Sequence, residues 1–123
     1  MYKRQAQAYN AALPSSLVKP QEMPWAKHVY HLYVVRTPER DRLRAWLESK
    51  GVATGMHYPI PIHLQEAWRD YGGADCSLPN TEKLTAEIVS LPMYPELTSE
   101  EVAYICDCIN EFAESESRVG DKL

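Results

Sequence analysis

Glycine is scarce in these 123 residues, five in all, and only Gly72 and Gly73 are adjacent. That excludes a P-loop and a dinucleotide-binding fingerprint, which need clustered glycines so that backbone N–H groups can close on phosphates. No Gly-x-Ser-x-Gly turn occurs, so there is no nucleophile elbow. Cysteines number three, an odd count set in no signature for thiol catalysis, which fits a reducing cytoplasm better than a disulfide framework. Positive charge is in deficit, with 13 Lys and Arg against 17 Asp and Glu and a net charge of -4 at pH 7. Such a balance leaves no electrostatic footprint for nucleic acid or an anionic membrane. Long apolar runs are missing too. The uncharged stretch Val52 to Gln65 holds two prolines and two histidines, and a membrane span needs about 20 mainly apolar residues. Behind Lys3 and Arg4 come Gln5, Ala6 and Tyr9 rather than an apolar block, so no secretory signal is read at the front. What is present is ordinary: 45% hydrophobic and 24% charged residues, enough for one soluble domain. A chain of this length buries roughly two thirds of its unfolded surface and needs no disulfide or metal staple.

The periodicity of the chain predicts mixed structure. Lys3 to Leu13 reads as a helix, with Ala6, Tyr9 and Leu13 on one face and Pro14 as its stop. No Ser, Thr, Asp or Asn caps its start, and Met1 to Gln5 has the look of a translated adapter, so the chain reads as cut off upstream. After a loop from Pro14 to Pro24, His28 to Arg36 is dense in aromatic and β-branched residues on both alternating faces, a strand covered on both sides. Thr37 and Pro38 open a helix with Leu43, Trp46 and Leu47 as its buried stripe and Lys50-Gly51 as its end. Val52 to Tyr58 reads as a second strand. It leaves through the stiff step Pro59-Ile60-Pro61 into a helix with Leu64, Trp68 and Tyr71 on one face, ended by Gly72-Gly73. Another helix starts at Pro79-Asn80 and gives way to a third strand within Ile88 to Met93. In the last helix Thr98 and Glu101 form a capping box, and Val102, Ile105, Cys106, Ile109, Phe112 and Ala113 form an apolar face. Residues 115–123 are polar and unpatterned and read as a disordered tail. The sum is an α+β fold, a small open sheet of about three strands with helices packed on it.

Metal ligation is argued down by spacing. Cys106 and Cys108 lie two apart on a helix and point about 200° apart. His28 and His31 fall on opposite faces of the predicted strand. The distinctive segment is Gly55 to Gln65, in which His57, Tyr58 and His63 surround a rigid double-proline exit. Polar side chains on stiff backbone at a strand end serve well as a ligand wall. The same residues also suit a packed core or interface, because nothing near them supplies a nucleophile or an electron sink.

Three strings carry a resemblance: His28 to Arg36, Thr54 to Pro59 with Pro61-Ile62-His63, and Ser90 to Thr98. In order and spacing they resemble the C-terminal domain of the DegT/DnrJ-type sugar-nucleotide aminotransferases, pyridoxal-phosphate enzymes of the aspartate-aminotransferase fold. The resemblance spans about Arg4 to Ala113, with Met56 where the family often has Ile or Val. It implies a division of the chain into 1–13, a remnant of an interdomain helix, 14–114, the small domain, and the tail at 115–123. It also implies that a lysine in a large N-terminal domain holds the cofactor through a Schiff base. Here the lysines are Lys3, Lys19, Lys27, Lys50, Lys83 and Lys122, and none follows a strand in a small-residue loop. The chain would therefore not bind pyridoxal phosphate covalently or transaminate alone. Carried over residue by residue, His57, Tyr58 and His63 would bind the sugar nucleotide. The implied partners are that N-terminal domain and a second copy of the full-length enzyme, in the cytoplasm. The competing expectation is a free-standing α+β binding module with a mostly polar surface and no enzymatic activity.

Overall fold

The longest element is also the one most fully dictated by sequence. Helix α5, Ser99–Gly120, is 22 residues long and about 33 Å at 1.5 Å per residue. It opens on the predicted capping box: Glu101 N–H donates to Thr98 Oγ1 at 3.1 Å, and Thr98 N–H donates to Glu101 Oε2 at 2.8 Å. Its buried residues are Val102, Ile105, Cys106, Cys108, Ile109 and Phe112. Both cysteines are buried, although they point to different sides, because α5 is covered on two flanks. One cover is helix α1, Tyr2–Ala12, and the other is helix α2, Arg40–Ser49. This is a computed structural model, and it describes residues 1–69, 71 and 76–120.

Helix α1 presents Gln5, Ala6 and Tyr9 inward. Its start has no side-chain cap, as the sequence predicts. Its last turn is closed from outside by Lys19, whose Nζ donates to the carbonyls of Asn10 and Leu13 at 3.0 and 3.2 Å. Polar bonds then tie the helix to the segment before α5. Gln5 Nε2 donates to the Tyr94 and Leu97 carbonyls at 2.8 and 3.2 Å, and Tyr9 Oη donates to the Pro92 carbonyl at 2.9 Å. Gln5 belongs to the adapter-like run, yet it is buried and bonded in the core.

The sheet has two strands, β1 (Tyr33–Arg36) and β2 (Ile88–Leu91), antiparallel, with Tyr33 opposite Leu91 and Val35 opposite Val89. Those four side chains form the buried face, over which Tyr9 and Tyr33 meet at 4.9 Å between ring centroids. Burial pushes both phenols well above the usual tyrosine range, with nearby thiol and phenol groups adding to it. On the opposite face Val34, Arg36 and Ile88 are only half-buried, so the strand is not covered on both sides as its composition predicts.

Three strand expectations are thereby corrected. The segment His28 to Leu32 is not strand: Tyr30 sits at φ 53°, and its N–H donates to His28 Nδ1 at 2.8 Å, which turns the chain. Tilted contact of the Tyr30 ring with the His28 ring, 4.2 Å between centroids, and burial of Tyr30 offset the left-handed backbone. His28 and His31 therefore do not sit on opposite faces of a strand. The predicted strand from Val52 to Tyr58 is reduced to one bridge, Gly55 to Ser90, just as Val18 makes one bridge to Arg36 at the other edge. Val52 cannot extend the ladder because its N–H is already spent on the Leu47 carbonyl at 2.8 Å. The sheet thus has two strands rather than three.

The helical expectations fare better, with two differences. Helix α2 starts at Arg40 rather than Pro38, with Thr37 Oγ1 accepting the Glu39 N–H at 3.2 Å; Leu43 and Leu47 are buried and Trp46 half-buried. Among the described residues between 62 and 71, a 3₁₀ turn, Ile62–Leu64, and a short helix α3, Glu66–Arg69, are the elements that form. Leu64, Trp68 and Tyr71 are exposed, so no buried face organises them; Gly72 and Gly73 lie outside the described residues. Helix α4, Pro79–Glu87, runs directly into β2. In place of a disordered tail over 115–120, α5 continues to Gly120. The Arg42 guanidinium grips both carboxylate oxygens of Glu116, one at 2.6 Å, and Ser115 and Ser117 donate back to the Phe112 and Ala113 carbonyls at 2.7 and 3.0 Å. Residues 121–123 lie outside the description.

Helix α2 ends in a Schellman motif. Gly51 N–H reaches the Glu48 carbonyl at 3.0 Å, Val52 N–H reaches Leu47, and Gly51 takes φ 77°. A Cβ at Gly51 would meet nothing within 4 Å, so substitution there is opposed by the backbone alone. Gly51→Ala is accordingly predicted to cost about 1–2 kcal/mol, read from the urea midpoint at unchanged slope. A midpoint equal to that of the wild type would contradict this account of the α2 end.

Candidate functional site

The segment Gly55 to His63 hangs from the edge of β2. Gly55 N–H donates to the Ser90 carbonyl at 3.0 Å, and Ser90 N–H donates to the Gly55 carbonyl at 2.8 Å. From the other side Arg44 of α2 braces the approach, with Nε 3.2 Å from Thr54 Oγ1 and Nη1 3.7 Å from Met56 Sδ. His57 then folds back over Gly55. A Cβ at residue 55 would lie 3.0 Å from His57 Cε1, so the glycine leaves the space that the imidazole uses. The ring is held by a hydrogen bond of 2.8 Å between Nδ1 and the buried Ser90 Oγ.

Tyr58 follows across a cis peptide bond and meets the His57 ring edge-on, 5.5 Å between centroids. Its side chain is 74% exposed. Pro59, Ile60 and Pro61 carry the chain on to the 3₁₀ turn, and His63 turns inward there. His63 is buried, with Nε2 3.0 Å from Glu82 Oε1 in the first turn of α4. Glu82 also accepts the Leu78 N–H at 3.0 Å. The His63 bond, and after it the Leu78 N–H, holds the Glu82 carboxyl below the usual carboxylate range.

The three predicted site residues therefore divide. His57 and Tyr58 stand together, exposed, on a braced segment, while His63 is directed at α4 and links the two elements. Ser90 and Arg44 were not singled out by sequence reasoning. The signal for Ser90 is a small polar residue inside the apolar run Ile88-Val89-Ser90-Leu91. Burial, and then Asp107, pushes the Cys106 thiol up to about 11, so it stays protonated. Among the described residues no group of three or more His, Cys, Asp or Glu could hold a metal ion, and no helix is long and apolar enough to cross a membrane.

A family model described as the DegT/DnrJ/EryC1/StrS aminotransferase family matches residues 2–110. The chain belongs to this family. A pleiotropic regulatory protein of Geobacillus stearothermophilus is 42% identical over 101 residues, 82% of this chain and 27% of that protein. A dTDP-3-amino-3,4,6-trideoxy-alpha-D-glucose transaminase of Streptomyces venezuelae is 37% identical over 95 residues, 77% of this chain and 25% of the transaminase. The crystal structure of S. venezuelae DesV in complex with a ketimine intermediate superposes with a TM-score of 0.86 at 33% identity, covering 92% of this chain and 31% of DesV. The chain thus spans about a quarter of the length of the curated relatives it matches. The likeness also fixes the fold class, α+β, as that seen in aminotransferases of fold type I.

Members of the family generally use pyridoxal phosphate, and three of the described lysines are engaged in other contacts. Lys50 Nζ is 3.0 Å from Glu111 Oε2 and 4.6 Å above the Trp46 ring, and the carboxylate raises its pKa. Lys19 is committed to the end of α1, and Lys83 lies 3.9 Å from Glu87 on α4. Lys3 and Lys27 are exposed on α1 and in the loop ahead of β1, and Lys122 lies outside the described residues.

The His63–Glu82 pair generates a pH prediction. A carboxyl whose folded pKa lies below its unfolded value of about 4.5 contributes stability above that pH and loses it as the pH falls through the folded value. Glu82→Gln should therefore melt below the wild type at pH 7, with the difference shrinking toward pH 3. A gap that does not change with pH would remove the pair from the stability account.

Proposed function

We propose that this chain is the C-terminal small domain of a pyridoxal-phosphate-dependent sugar-nucleotide aminotransferase. The full-length enzyme transfers an amino group to a keto-sugar nucleotide in amino-sugar or polysaccharide biosynthesis, in the cytoplasm and as a homodimer. Residues 14–114 form the domain, and α1 is the end of the helix that joins it to the cofactor-bearing part. What carries the reading is the match to DesV over nearly all of this chain and under a third of that enzyme. The lysine inventory agrees with it: the cofactor belongs to the rest of the enzyme, and the chain is not competent alone.

The surface supports the same reading against a free-standing module. Among the described residues, exposed large apolar side chains are densest in two stretches, Met23, Trp25 and Val29 before β1, and Tyr58, Ile60, Ile62, Leu64, Trp68 and Tyr71 from the site onward. Trp25 is 82% exposed and Tyr71 85%, which suits surfaces that other parts of an enzyme cover and not a polar module. Within that frame His57 and Tyr58 form one wall of the substrate cleft. An imidazole and a phenol offer hydrogen bonds to sugar or phosphate oxygens. Their work is positioning, which holds the sugar carbon in reach of the amino donor. His63 supports that wall from behind, through α4.

Two measurements test this. Pyridoxal phosphate added to the chain should leave no visible absorbance band of a lysine-bound cofactor after gel filtration, and a stable stoichiometric band would contradict the division of labour. In the full-length parent, His57→Ala should lower kcat/KM for the sugar nucleotide about tenfold while the cofactor stays bound. Unchanged kinetics would take His57 out of the cleft.

A further inference from the structure

The pairing of His57 with Ser90 raises a question that the geometry answers: which partner supplies the proton. Ser90 is buried on β2, and its backbone N–H and carbonyl are both taken by Gly55. Its hydroxyl has one proton to place, and the only side-chain partner among the described residues is His57 Nδ1, at 2.8 Å. If Nδ1 carried the ring proton, the nitrogen would donate to Ser90 Oγ, and the hydroxyl proton would be left buried without an acceptor. With Ser90 donating, every proton in the pair is placed, and an unused lone pair on the hydroxyl is the smaller loss. In the neutral ring the proton then sits on Nε2, which has no partner among the described residues. The adjacent Gly55 leaves the ring free to lie in this position, because a side chain there would crowd Cε1.

We infer that Ser90 is a positioning residue that fixes the His57 tautomer, so that His57 meets its ligand as an N–H donor through Nε2. A group set this way selects an acceptor oxygen, such as a phosphate, hydroxyl or keto oxygen of a sugar nucleotide, and turns away an N–H or ammonium donor. The identity of the ligand rests on the function proposed above; the tautomer does not.

Long-range ¹H–¹⁵N correlation spectra of the chain, with the imidazole neutral, separate the two. The wild type should show a pyridine-type Nδ1 and a pyrrole-type Nε2 for His57, and Ser90→Ala should move the Nδ1 resonance toward that of an unbonded ring. A pyrrole-type Nδ1, or an Nδ1 that ignores the substitution, would overturn the inference. In the full-length parent, Ser90→Ala should raise KM for the sugar nucleotide about tenfold with kcat within about twofold. Added to His57→Ala, it should do no further harm, because it acts through that ring. If the spectra agree but neither substitution moves KM, the tautomer assignment stands and the substrate-wall reading falls.

Discussion

Everything in this molecule leans on the apolar face of α5. The helix is buried along two flanks, by α1 through Ala6 and Tyr9 and by α2 through Leu43 and Leu47. A two-stranded sheet alone would be marginal in water, and it is the helical cover that makes β1 and β2 stable. Polar bonds also tie the elements of this core together. Gln5 and Tyr9 fasten α1 to the segment Pro92–Leu97, and Trp46 Nε1 fastens α2 to the Cys108 carbonyl at 2.8 Å. The capping box fixes where α5 begins, and therefore where the exit from β2 must turn.

The candidate site inherits its order from this arrangement. Because β2 is held by β1 on one side, its other edge is free to accept Gly55, and that single bridge anchors the stretch carrying His57 and Tyr58. One residue, Ser90, serves both links, through its backbone to Gly55 and through its hydroxyl to His57. The site is thus assembled from a strand edge, a glycine and two prolines, with little regular structure of its own.

The helices were legible in the sequence because their signals are local: the 3.6-residue apolar stripe of α5, its capping box, Pro14 after α1, Gly51 after α2. The strands were less so. Nothing in the composition of His28 to Leu32 reveals that Tyr30 adopts a left-handed conformation, because the contacts of its ring with His28 and Tyr33 follow from the turn and leave no mark in the alternation of residue types. Val52 to Tyr58 has strand composition, yet its first N–H is already used by α2. Residues 115–120 read as tail because polar residues carry no stripe, but the Arg42–Glu116 pair, 74 residues apart, cannot be seen from spacing. At the site, the resemblance pointed to His57, Tyr58 and His63 together. Burial of His63 against Glu82 is a tertiary fact that separates it from them, and the role of Ser90 depends on strand register.

The exposed aromatic and aliphatic residues around Trp25 and from Tyr58 to Tyr71 complete the picture. A domain can keep a closed core and still leave an apolar surface that only a larger assembly covers. Family membership is established, and the central claim is that these surfaces face the rest of one aminotransferase polypeptide. The most direct test is the coding DNA upstream of Met1. The account predicts an open frame continuing in register into a domain with a lysine in a small-residue loop after a strand. A stop codon in frame immediately upstream would contradict it.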